Sequence, residues 1–129
     1  MQLEITSLYA AAATLLFLVL TYRTIKMRAE KKISILHNGD MDLALRMRQH
    51  GNFIENVPLA LILMAIVETQ GAGSIWLHAI GILLIAARIM HPIGLKIEHP
   101  AHPLRILGGL GTHAAMLIAV YLIIQKNLF

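Results

Sequence analysis

Four apolar runs joined by three polar connections leave this chain few folds to choose from. The first runs from about Leu3 to Tyr22, close to the ~20 residues a helix needs to cross a bilayer. The second holds an uninterrupted apolar stretch from Val57 to Val67. The third runs from Ile75 to about Leu95 and the fourth from Leu104 to Ile124. In lipid every backbone N–H and C=O must be bonded within the protein, and a helix does this inside its own segment. The expectation is an all-α integral membrane four-helix bundle. It forms a single domain over 1–129, with helices at about 3–30, 42–70, 75–96 and 104–125. Only 14% of residues are charged, against about 25% in soluble domains, and mean hydropathy is +0.69. Met1–Ser7 lacks a basic n-region and contains Glu4, so the first run reads as a retained helix and not a cleaved signal.

The second helix is the unusual one. Asp40 or Asp42 is placed to cap its start, and Pro58 should bend it. Val57–Val67 is too short to span alone, so Asn52, Glu55 and Asn56 must enter or approach the membrane. At 100° per residue, Arg48, Asn52 and Glu55 fall on one narrow stripe. That stripe has two readings. An Arg–Glu salt bridge with an amide can glue a bundle together. The same three groups can also cradle a zwitterion, with Arg for a carboxylate, Asn for an amide and Glu for an ammonium.

Arg46 and His50 fall on the other side of the helix and are expected to reach headgroups or another subunit. Glu68, near the far end, is expected to meet water. Arg88 and His91 are spaced i, i+3 and share a face of the third helix. Arg88 has two readings, a snorkelling boundary residue or a functional one, and so has His91, a packing residue or a ligand contact. Arg105 opens the fourth helix after Pro103, as an interfacial anchor or as a stabiliser of a substrate anion. Gly108/Thr112 and Gly111/Ala115 are small-xxx-small pairs that suit close helix contacts.

Charge orders these segments in the membrane. The first loop carries Arg23, Lys26, Arg28, Lys31 and Lys32, the third carries Lys96, and the second, Gly71 to Ser74, carries no basic residue. The positive-inside rule then places loops one and three in the cytoplasm. Arg48, Asn52, Glu55, Arg88, His91 and Arg105 all come to one leaflet. The net charge of +4 is therefore a matter of topology, and aromatic residues are too few for a base-stacking surface, so no nucleic-acid partner is expected. With no cysteine there is no thiolate ligand or nucleophile, so any thiol must come from the substrate. The seven histidines form no HExxH motif or tight pair on one helix face, and no metal is expected.

Arg48-x-His50-x-Asn52-x-x-Glu55 followed by Pro58 and an apolar run resembles the second-helix signature of the MAPEG family, the membrane-associated proteins of eicosanoid and glutathione metabolism. Ala87-Arg88-x-x-His91 and Pro103-Leu104-Arg105 are similar to its third- and fourth-helix motifs. The resemblance covers nearly the whole chain and is nearest to short bacterial members. It implies a homotrimer with glutathione bound between subunits near the cytoplasmic side. By that resemblance Arg48, Asn52, Glu55 and His91 bind glutathione, with Lys26 or Arg28 contributed from helix one. Arg105 matches the arginine that holds the thiolate. Tyrosines of family enzymes are missing, their places falling on Leu95 and, near Arg105, on Ile106 and Gly109.

The implied function is a membrane-bound glutathione transferase, with peroxidase activity a variant of it, acting on a lipophilic electrophile that arrives from the bilayer. The implied location is a bacterial inner membrane. The alternative, which the missing tyrosines favour, is a non-catalytic lipid- or ligand-binding trimer. A channel is the weakest reading, because the polar groups gather in one leaflet and do not continue across.

Overall fold

The structure is a computed structural model, described here for residues 2–128. It contains four α-helices: α1 (Glu4–Lys31), α2 (Met41–Thr69), α3 (Ser74–Gly94) and α4 (Pro103–Leu128). Each holds a stretch long and apolar enough to cross a membrane. At 1.5 Å per residue α1 and α2 are about 42–44 Å long, and α3 about 31 Å. A bilayer core is about 30 Å thick, so α1 and α2 project beyond it. The boundaries agree with the sequence reading to within one or two residues, except that α4 continues to Leu128. The second helix runs unbroken through Pro58.

Local chemistry explains the ends. Asp40 caps α2 by accepting from the Leu43 N–H at 2.9 Å. The Lys31 ammonium, 2.8 Å away, holds the Asp40 carboxyl below the usual carboxylate range. Lys32 ends α1 in the left-handed region, with φ of 54°. Arg28 pins the loop that follows by donating to the Ile33 and Leu36 carbonyls at 3.3 and 2.9 Å. At the opposite end Glu68 does not simply meet water. Its two carboxylate oxygens accept from the Ile5 and Thr6 N–H groups at 2.9 and 2.7 Å, so α2 supplies the cap that α1 lacks locally.

The helices run up and down in an antiparallel bundle. α3 packs on all three others, while α1 and α4 do not pack on one another. One apolar core holds Met64, Val67, Ile80, Leu84, Ala115 and Ala119, and a second joins α1 to α2 through Ala13, Leu20, Phe53 and Val57. The α3–α4 contact is the closest, because glycines form it. A Cβ on Gly108 would come within 2.8 Å of the Ala87 carbonyl oxygen, and one on Gly94 would strike the backbone of Arg105. Ten of the eleven Lys and Arg residues lie in the half of the bundle formed by the ends of α1 and α3 and the starts of α2 and α4. Lys126 is the exception.

Gln49 is a fully packed polar residue of α2. Its amide donates to the Pro92 carbonyl at 2.8 Å and to the Leu95 carbonyl at 3.3 Å, closing the C-terminal end of α3. Gln49→Leu is expected to cost about 1–3 kcal/mol, because two buried carbonyls lose their donor. Thermal unfolding in detergent measures this, and a midpoint equal to that of the parent would show that the cap is dispensable.

Candidate functional site

The α2 stripe opens outward. The Arg48 guanidinium donates to the Glu55 carboxylate at 2.7 Å, and both side chains are more than half exposed, at 58% and 53%. Glu55 lies about 21 Å along α2 from Met41, at the middle of a helix long enough to cross the membrane. An exposed ion pair at that depth needs a polar cover, from a ligand or another chain. Asn52, on the edge of the stripe, points between α2 and α3.

Arg88 meets it there. The sequence leaves Arg88 as a snorkelling residue or a functional one, and the structure buries it to 3% exposure. Its guanidinium donates to Asn52 Oδ1 at 2.8 Å and to the Gly108 carbonyl at 3.0 Å. Its Nε is buried with no partner, and among the described residues no carboxylate pairs with it. The Gly108 carbonyl also takes the Thr112 hydroxyl at 2.9 Å. One guanidinium thus ties α2, α3 and α4 together at a single level. Asn52 Oδ1 accepts from Arg88, and its Nδ2, without a partner among the described residues, is left as a donor.

His91 is buried one turn beyond Arg88, where Gly108 brings α4 against its backbone. Arg105 lies one turn before Gly108 on α4. It donates to the Pro100 carbonyl at 2.7 Å, which uses one of its five N–H donors. Arg48, Asn52, Glu55, Arg88, His91 and Arg105 therefore share one half of the bundle, with Arg88 joining α2 to α4.

Two expected members stand apart. Lys26 is exposed and lies 3.8 Å from Glu30, and Arg28 is occupied with loop carbonyls and the Met47 sulfur. Both sit on α1, which does not pack on α4. His50 also departs from expectation. Its Nε2 lies 3.0 Å from the Thr21 hydroxyl and its ring stacks at a tilt on Phe17, so it joins α1 to α2 within the chain. Gln49 had no role in the sequence reading, yet it lies four residues before Phe53 on the stripe that continues through Val57, Ala60, Met64 and Val67. A polar residue on a buried stripe was the available signal.

The MAPEG family profile matches residues 6–125. This chain belongs to the MAPEG family. Two curated relatives agree in extent: the inner membrane protein YecN of Escherichia coli K12 and its counterpart in the O6:H1 strain. Each is 31% identical over 116 residues, covering 90% of this chain and 87% of the relative. No solved structure matches the chain. As a MAPEG protein with four spanning helices, it is a multi-pass membrane protein.

Proposed function

We propose that this protein is a membrane-bound glutathione transferase, acting as a homotrimer in an inner membrane with its site toward the cytoplasm. The observation that carries this reading is the Arg48–Glu55 pair lying open at membrane depth beside the amide of Asn52, which Arg88 orients. Glutathione has two carboxylates, one ammonium and two amides. The residues offer guanidinium groups from Arg48 and Arg105, a carboxylate from Glu55 and a free amide donor from Asn52, which suits a peptide of net negative charge. The separation of α1 from α4 supports a shared site. A second copy could bring Lys26 or Arg28 to Arg105, and it would also cover the exposed stripe.

The nucleophile belongs to the substrate. A thiol of pKa about 8.5 is mostly protonated at neutral pH, and a guanidinium beside it favours the thiolate. Arg105 keeps four N–H donors beyond its bond to Pro100 and lies at the helix start, open to a ligand. The proton leaves to solvent. The thiolate sulfur then attacks the electrophilic carbon, and the halide departs with the bonding pair of the broken bond. Arg48, Asn52 and Glu55 hold the peptide while Arg105 stabilises the sulfur anion, the electrostatic contribution that counts most in such sites.

The purified protein, given glutathione and a chlorodinitrobenzene, is expected to release chloride. Arg105→Ala is expected to lower kcat at least tenfold while glutathione still binds. Unchanged rates in the variant would overturn the role of Arg105.

A second reading has its own observation. The places of the family tyrosines hold an apolar Leu95, which is buried, and an exposed Ile106, so neither supplies a hydroxyl. A ligand-binding trimer without catalysis would show lipid binding with no turnover and no heat of glutathione binding in calorimetry.

A further inference from the structure

The half of the bundle away from Arg88 carries a cleft of its own. It has a volume of about 450 Å³ and lies between the α2–α3 turn and the last turns of α4. Val67 and Leu122 form an apolar floor, and Gln70, Trp76, Gln125 and Lys126 form the walls. Lys126 is the only Lys or Arg at this end. Among the described residues, no acid lines the cleft. Glu68, the residue after Val67, has both oxygens committed to the start of α1. Among the described residues, the side chains of Gln70, Gln125 and Lys126 have no hydrogen-bond or ion-pair partner. The cleft thus offers one cation and two free amide groups around an apolar base.

We propose that this cleft binds the phosphate headgroup of an anionic phospholipid in the leaflet opposite the Arg88 cluster. The ligand class follows from charge, depth and shape. Lys126 attracts an anion, and the amides of Gln70 and Gln125 donate to its oxygens. α3 is about as long as the bilayer core is thick, so Trp76 in its first turn lies at headgroup level. Trp and Lys at a helix end commonly serve only as interfacial anchors. An anchor needs neither a cleft nor amides lining it. The half-exposed Trp76 ring lines the cleft and offers acyl chains an apolar surface, which a free anion would not use. The volume is within the range of small-ligand sites and fits a glycerophosphate headgroup rather than a whole lipid. The proposal is independent of the glutathione reading, since the two sites lie at opposite ends of the helices.

The test is native mass spectrometry of the full chain in neutral detergent with short-chain phosphatidylglycerol. The expected result is a saturable adduct that phosphatidylcholine does not match. Lys126→Gln is expected to weaken it at least fivefold, Lys126→Arg to restore it, and Lys32→Gln, at the basic end, to leave it unchanged. Lys126 is exposed, so these variants should fold, and their melting midpoints check that. Inorganic phosphate at millimolar concentration is expected not to compete. Competition by phosphate would make the ligand a free anion and overturn the lipid assignment. An adduct lost equally in Lys32→Gln and Lys126→Gln, or lost only in Lys32→Gln, would overturn the site.

Discussion

Arg88→Ala is expected to destabilise the protein by about 2–4 kcal/mol and to abolish glutathione binding. The stability loss comes from a cavity at the junction of three helices, together with an Asn52 oxygen left without its donor. Gly108 suffers less, because Thr112 still donates to its carbonyl. The binding loss has a different origin. Without the guanidinium, the Asn52 amide is free to rotate and no longer presents Nδ2 to the stripe. Arg88→Met separates the two effects. It fills much of the volume but leaves the Asn52 oxygen without its donor, as alanine does. Its melting midpoint in detergent should therefore lie between those of Arg88→Ala and the parent, while glutathione affinity falls at least tenfold, about 1.4 kcal/mol. Calorimetry measures the second quantity. Parental affinity in a folded Arg88→Met protein would mean that Asn52 needs no orientation by Arg88.

That role could be anticipated only in part from sequence. The four helices were legible because length and apolarity decide a membrane span, and tertiary context seldom overrides them. The α2 stripe was legible because Arg48, Asn52 and Glu55 share a face by arithmetic alone. Arg88 was harder. A guanidinium six residues from the end of α3 can either snorkel or turn inward, and the choice depends on what stands across from it. Its spacing from Leu77, Ile80 and Leu84 places it on the most buried stripe of α3, which was the clue to the inward choice. Its acceptors, Asn52 and the Gly108 carbonyl, lie 36 and 20 residues away and follow from no periodicity. Glu68 shows the same limit. Its caps are N–H groups 62 and 63 residues earlier, so a carboxylate near a helix end looked like a solvated one.

Small-residue spacing pointed to close contacts on α4, yet it did not reveal that the partner of Arg105 is a glycine of α3. Gly94→Ala is expected to have the second large effect. A Cβ there would strike the Arg105 nitrogen and come within 2.7 Å of the Leu104 carbonyl carbon and 2.9 Å of the Arg105 Cα. These are backbone atoms, which cannot swing aside as a side chain can. The start of α4 must move, at a cost of about 1–3 kcal/mol. Arg105 moves with it. A misplacement of about 1 Å can cost a hundredfold in rate, so conjugation should fall much further than stability does. Gly109→Ala is the matched control. It lies on α4, one turn from Arg105, with nothing within 4 Å of its Cβ position, and it exchanges a poor helix former for a good one. It should be neutral or up to about 1 kcal/mol stabilising, with parental kinetics. Paired measurements of melting midpoint and chloride release on the two variants decide the matter. If Gly94→Ala keeps the parental rate, the α3–α4 crossing does not set the position of Arg105, and the guanidinium reaches the thiolate by some other support.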